Sequence, residues 1–221
     1  RDCLLSRGLG DVYKRQTFLC EYPYEGSIRY NGCELRNAAD NVRSGIISYL
    51  GHDPELFNDS VRNNVLLGDD YDVFEYLRVV CMDKEVEAME QGADTIIGSE
   101  GIRLSGGQAQ RIALARTLCH KKLVLVLDDP FSALDRNTEE QIYKKLKDMA
   151  SDNIVILISH RLYMFPKMDK VIWMDAGMVN VGTHKELMLE CPGYRKMYET
   201  VSVEECRAVE TENCLLYTSP S

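Results

Sequence analysis

The sequence predicts an α/β protein built on a parallel sheet flanked by helices. Three observations carry that expectation. Leu123-Val-Leu-Val-Leu127 and Ile154-Val-Ile-Leu-Ile158 are unbroken aliphatic runs, as strands covered on both faces require. Stretches with helical apolar spacing lie before, between and after them. Strands alternating with helices favour crossover connections and a parallel sheet. The 221 residues, 45% hydrophobic and 28% charged, suffice for one domain with a lobe attached and a substantial core.

The elements follow in order. Gly26-Ser-Ile-Arg-Tyr-Asn-Gly32 reads as a short strand closed by an Asn-Gly turn. Ile46–Leu50 is a second strand. Between residues 72 and 90, Val73, Phe74, Leu77, Val80, Cys81, Val86 and Met89 form a stripe at helical spacing. Residues 106–119 also read as helix. Asn137 to Met149 is a helix with Ile142, Leu146 and Met149 on one face, Asn137 as its cap and Glu140 three residues on. Its acids come first and its lysines last, which suits the helix dipole. Lys170–Met174 and Met178–Val181 flank Asp175-Ala-Gly177 as a hairpin, and helix resumes near His184. No internal repeat or low-complexity tract is present.

Composition narrows the function. A net charge of −9 argues against a general nucleic-acid binder, which needs a basic footprint. It leaves room for a nucleotide, since one phosphate cradle needs only local donors. No apolar run approaches the ~20 residues of a membrane span, so membrane contact is expected through a partner. The eight cysteines form no CxxC pair and no zinc spacing, and read as reduced and cytosolic. Residues 1–16 carry four basic and two acidic residues against the acidic trend that follows. Residues 214–221 are uncharged and end in turn formers. Both resemble translated sequencing-adapter ends. The expected division is a foreign leader at 1–16, a domain at 17–202 with a helical lobe at about 58–118, and a tail at 203–221, foreign from 214.

The chemistry concentrates in few places. In Leu104-Ser-Gly-Gly-Gln108, Gly106 and Gly107 open a helix and let a phosphate approach the backbone. Ser105 adds a hydroxyl, and the helix start adds positive potential. The plainer reading is a Ser-capped helix after a turn. The strand 123–127 runs into Asp128-Asp129-Pro130, which puts two carboxylates at the carboxyl edge of the sheet, where ligands of α/β proteins bind. Asp128 suits a Mg²⁺ site. Asp129 is placed to orient or activate a water. The strand 154–158 ends at Ser159-His160, which brings His160 to the same edge.

These residues resemble the nucleotide-binding domain of ABC transporters, most closely the exporter type, over about Thr17 to Ser202. Leu104 to Gln108 resembles the signature motif, Leu123 to Asp128 the Walker B strand, and Ser132-Ala-Leu-Asp135 the D-loop. His160 stands at the switch histidine. Ile46 to Phe57 resembles the Q-loop region, with His52 at its Gln position, a second candidate for metal contact. Gly182-Thr-His-Lys-Glu-Leu187 and Gly193-Tyr194 resemble the exporter C-terminal stretch. His120 and His184 match no catalytic position and read as structural.

The resemblance implies a P-loop NTPase-like sheet with an α-helical signature lobe, ATP and Mg²⁺ as ligands, and a head-to-tail dimer. In such a dimer Ser105, Gly106, Gly107 and Gln108 would serve the ATP of the second nucleotide-binding domain. Transmembrane domains would be the other partner, at the cytoplasmic face of a membrane. Leu56 and Phe57 are the candidates for the groove that meets them, and the 73–89 stripe reads as core of the lobe.

Three departures stand out. No GxxGxGK[ST] occurs, and residues 1–16 occupy its expected place, so the chain as written is expected to bind ATP poorly alone. Asp129 stands where Glu is expected, one methylene or ~1.5 Å short, and a misplacement of ~1 Å can cost about 100-fold in rate. His52 replaces Gln and cannot offer a carbonyl and an amide together. The expectation is the slow, degenerate-site half of a heterodimeric exporter. The alternative is a nucleotide-gated regulatory module with little turnover, lending its signature to a partner. A third class, soluble ABC ATPases of repair or translation, is disfavoured by the 52 residues between His52 and Ser105, too few for a coiled-coil arm.

Overall fold

The computed structural model describes residues 2–5, 26–53, 55–99, 101–159, 161–175 and 178–200. The chain divides into two compact units. One contains Leu9–Ile158, the other Asp2–Gly8 and Ser159–Ser221.

The first unit begins with β2 (Arg29–Tyr30) and β3 (Cys33–Glu34), which pair antiparallel; β1 (Asp2–Leu5) belongs to the second unit. Asn31 and Gly32 between them both have positive φ, 47° and 81°, as a two-residue hairpin turn requires. Helix α1 (Asp40–Ile46) then leads into β4 (Ile47–Leu50). The lobe follows: β5 (Asp59–Ser60), α2 (Val61–Leu66), α3 (Val73–Val79), α4 (Asp83–Glu87), β6 (Ile96–Ile97) and α5 (Gly106–Cys119). Helices α2 and α3 pack on α5, which also reaches β4. The chain returns through β7 (Val124–Asp128), α6 (Arg136–Met149) and β8 (Ile154–Ile158). Strand β7 lies between β4 and β8, parallel to both, in the registers Leu50↔Leu127 and Leu127↔Leu157. Leu125, Val126 and Leu127 are buried, as the apolar run predicts.

In the second unit β9 (Lys170–Asp175) pairs antiparallel with β10 (Met178–Gly182) and parallel with β1 (Asp2–Leu5). The leader, in which no hydrophobic period is visible, thus contributes a strand. The hairpin turn at 176–177 lies outside the described residues. Helix α7 (His184–Glu190) is closed by a Thr183/Glu186 capping box. Its core gathers around Tyr194, stacked on Phe165 with centroids 6.1 Å apart.

Two local expectations are corrected. The 72–90 stripe is not one helix. It breaks after Val79, where Cys81 adopts φ 55°, Cys81 N–H donates to Arg78 O and Met82 N–H to Leu77 O. That paired closure is a Schellman motif with cysteine where glycine is usual. The cap of α6 is Asp135, whose carboxylate accepts the Thr138 N–H at 3.0 Å, not Asn137. Asn137 is the second helical residue.

Candidate functional site

Strand β7 delivers Asp128 and Asp129 to the carboxyl edge of the sheet, 5% and 2% exposed. Asp129 has φ 49°, left-handed backbone that residues with a Cβ seldom adopt and Asp tolerates better than most. Three bonds hold it there. Its N–H donates to Ile158 O at 2.7 Å, and its carbonyl accepts from Ser132 N–H at 3.1 Å and from Gln110 Nε2 at 2.9 Å. The turn through Pro130 and Phe131 then starts the segment Ser132–Asp135.

His52 lies two residues beyond Leu50, as Asp129 lies two beyond Leu127, its partner in register. The parallel pairing therefore sets them side by side, His52 Nδ1 3.9 Å from Asp129 Oδ2. Among the described residues no cluster of three or more His, Cys, Asp or Glu could hold a metal ion.

Helix α5 starts at the glycines. Ser105 is its cap: Ser105 Oγ accepts the Gln108 N–H at 3.2 Å, and Gln108 Oε1 accepts the Ser105 N–H at 2.9 Å. The plainer reading of this motif, a capped helix, is therefore realised. The anion-binding reading is compatible with it. Open space surrounds the missing Cβ of Gly106, so a ligand could approach the backbone there. A Cβ on Gly107 would stand 2.8 Å from Ala133 O, so only glycine lets α5 approach the 132–135 segment this closely. Gln108 Nε2 donates to Glu85 at 2.8 Å, and Arg111 Nη1 donates to the same carboxylate at 2.7 Å. Burial opposes the Glu85 charge, but these two bonds hold its carboxyl below the ordinary value.

The remaining candidates fall into place around this frame. Ser132 Oγ donates to Gln110 Oε1 at 3.0 Å. Asp135 is committed to the α6 cap, and the bonds from Thr138 hold its carboxyl below the usual range. His120 is half-buried between Val65 O and Asp69, and His184 faces the Tyr194 hydroxyl; both are structural in the described contacts. Leu56 is half-buried and Phe57 exposed. His160 lies outside the described residues.

Sequence reasoning missed Gln110, Arg116 and Asn64. Gln110 shares a face of α5 with Ala113 and Leu114, at i, i+3 and i+4. A polar residue on a buried face signals a hydrogen-bonded role, and that signal was available. Arg116 and Asn64 tie Glu55 and Phe57 to the lobe through contacts that no local pattern reveals.

A model of the family described as ABC transporter matches residues 17–132. The chain belongs to the ABC transporter family. It is similar, at 34% identity over 198 residues, to the probable multidrug resistance ABC transporter ATP-binding/permease protein YheI of Bacillus subtilis, covering 87% of this chain and 34% of that protein. It is likewise 34% identical over 189 residues to the ATP-dependent lipid A-core flippase of Alcanivorax borkumensis, covering 83% of this chain and 32% of the flippase. Among solved structures, a bacterial Atm1-family ABC exporter with ATP bound superposes with a TM-score of 0.84 at 28% identity, covering 91% of this chain and 37% of the exporter. The ABC chain thus spans about a third of the length of these relatives. Its sheet, helices and motif order are those of an exporter-type nucleotide-binding domain.

Proposed function

We propose that this chain is the ATP-hydrolysing part of an exporter and works at the cytoplasmic face of a membrane. In this reading it pairs head to tail with a second nucleotide-binding domain and drives transmembrane domains. The observation that carries the reading is the convergence at one sheet edge of Asp128 and Asp129 with the glycine start of α5, tied by Gln110 and by the close approach of Gly107 to Ala133. No helix among the described residues is long and apolar enough to cross a membrane, so the membrane domains would come from outside them.

Ser105, Gly106, Gly107 and Gln108 would bind the phosphates of the partner domain's ATP, at the start of a 14-residue helix. Asp128 would hold Mg²⁺. The site fits, because Mg²⁺ commonly takes one or two carboxylates and completes its shell with phosphate oxygens and water. Bound there, Mg²⁺ would neutralise phosphate charge. Asp129 orients the attacking water and accepts its proton as the β–γ bridging oxygen departs with ADP. His160 is the second proposed catalytic residue, and Ser132 and Asp135 would face the second domain.

The finer reading is the slow half of a heterodimeric pair. Asp129 is one methylene short, and His52 Nδ1 stands 3.9 Å from its carboxylate. The His52–Asp129 contact also favours the second reading, a nucleotide-gated module with little turnover. The test is Asp129→Glu in the full-length protein, read as ATP turnover. The expected result is a gain of about tenfold or more, given the ~100-fold cost of a ~1 Å misplacement. An unchanged rate would mean that Asp129 does not limit turnover and would favour the regulatory reading. Brisk hydrolysis by a homodimer of the unaltered protein would end the heterodimer reading.

A further inference from the structure

We propose that Gln110 is the positioning residue for Asp129, holding its main chain in the geometry that aims the carboxylate. The inference rests on the reading of Asp129 as the group that orients water.

Gln110 lies in the second turn of α5 and is 4% exposed. A buried amide is costly unless both ends are bonded. Here both ends are spent on the same short segment. Nε2 donates to the Asp129 carbonyl at 2.9 Å, and Oε1 accepts from Ser132 Oγ at 3.0 Å. A carbonyl can only accept and the amide nitrogen can only donate, which fixes the orientation of the side chain. The bond lands on a residue with φ 49°, a conformation that persists only where its surroundings hold it. The Asp129 N–H is already used by Ile158 O, so Gln110 secures the opposite end of the same residue. The first turn of α5 meets the next stretch of chain, with Gly107 against Ala133 O. Helix α5 thus carries a phosphate-binding start in one turn and the Asp129 clamp in the next. A displacement of its first turn reaches the carboxylate through one side chain.

Gln110→Met tests this. It keeps the length of the side chain, adds no charge and removes both bonds. The full-length transporter is assembled with a partner domain whose own catalytic carboxylate is replaced, so that turnover reports the Asp129 site; it is loaded with ATP, and phosphate release per bound ATP is measured in a single turnover. Counting only bound ATP excludes unfolded protein. The expected result is a rate per bound ATP lower by about 10- to 100-fold, the scale of a misplacement near 1 Å, with ATP affinity within about twofold. Ser132→Ala, at an exposed residue, should lower the rate less and in the same direction, and Ser132→Thr should restore it. A role confined to packing would lower the yield of folded protein and leave the rate per bound ATP unchanged in all three, which overturns the proposal. Asp129→Ala separates the two failures. If it abolishes turnover while Gln110→Met does not matter, only the clamp is wrong. If it leaves turnover intact, the reading of Asp129 falls and the clamp falls with it.

Discussion

Arg116 spends every face of its guanidinium on one stretch of chain. Nε donates to Asn64 O at 2.6 Å, Nη2 to Asn64 Oδ1 at 2.8 Å and Nη1 to Glu55 O at 2.9 Å. The Phe57 ring lies 4.8 Å from its central carbon. Asn64, fully buried, completes the knot: Oδ1 also accepts the Phe57 N–H at 2.8 Å, and Nδ2 donates to Phe57 O at 2.9 Å. Burial lowers the Arg116 pKa from its ordinary value, but arginine starts so far above neutrality that the charge remains. The consequence for function is that Phe57, the candidate contact for membrane domains, stands exposed on a rigid footing. Lysine cannot replace this fork, because an ammonium is a point charge that neither spans three acceptors nor lies flat on a ring. Arg116→Lys is therefore expected to destabilise the first unit by about 1–3 kcal/mol, the cost of stranding buried acceptors. A thermal melt would show it as a fall of several degrees, on the scale of about 2–4 °C per kcal/mol for a domain this size. An unchanged melting temperature would mean that water replaces the guanidinium at no cost.

At the scale of elements, helix ends decide what the sequence could show. The structure makes Asp135 the cap of α6, and the two candidate caps predict opposite results. Asp135→Ala should cost about 1 kcal/mol of stability, as cap deletions do, while Asn137→Ala should be near neutral. The pH dependence has a definite sign. The Thr138 bonds hold the folded Asp135 carboxyl below its unfolded value. Its contribution is thus fully present above the ordinary Asp range near pH ~4 and is lost as pH falls through the folded value. Urea melts should show the difference between the wild-type and Asp135→Ala proteins at pH 7 narrowing as the pH is lowered below the ordinary Asp range. The ends of α5 and α7 were legible, because Ser105/Gln108 and Thr183/Glu186 have capping-box spacing. The break between α3 and α4 was not. Its left-handed residue is Cys81, and without a glycine the stripe from Val73 to Met89 continues unbroken in the sequence. The strands β7 and β8 were legible almost to the residue, since a strand buried on both faces must be apolar throughout.

At the scale of the whole molecule, motif order yields the residues of the site one by one but not their pairing. His52 and Asp129 stand 77 positions apart and each can be read as a separate departure from the family. Only the sheet register, Leu50 opposite Leu127, makes them neighbours at 3.9 Å. Neighbouring side chains couple energetically, by about 0.5–3 kcal/mol in either direction, whereas distant ones add. The geometry gives the direction here. Lengthening Asp129 to Glu adds ~1.5 Å of reach, which consumes much of the gap to the imidazole and forces the new carboxylate aside. Asp129→Glu should therefore raise turnover more strongly when His52→Gln accompanies it than when His52 is present. The excess should be about twofold or greater, the lower bound of that coupling. His52→Gln alone should change little, because the short carboxylate would still fall away from the water. Measuring ATP turnover for the four members of the cycle in the full-length protein decides it. Additive effects would mean that the two departures act independently, His52 through another ligand and Asp129 through its length alone.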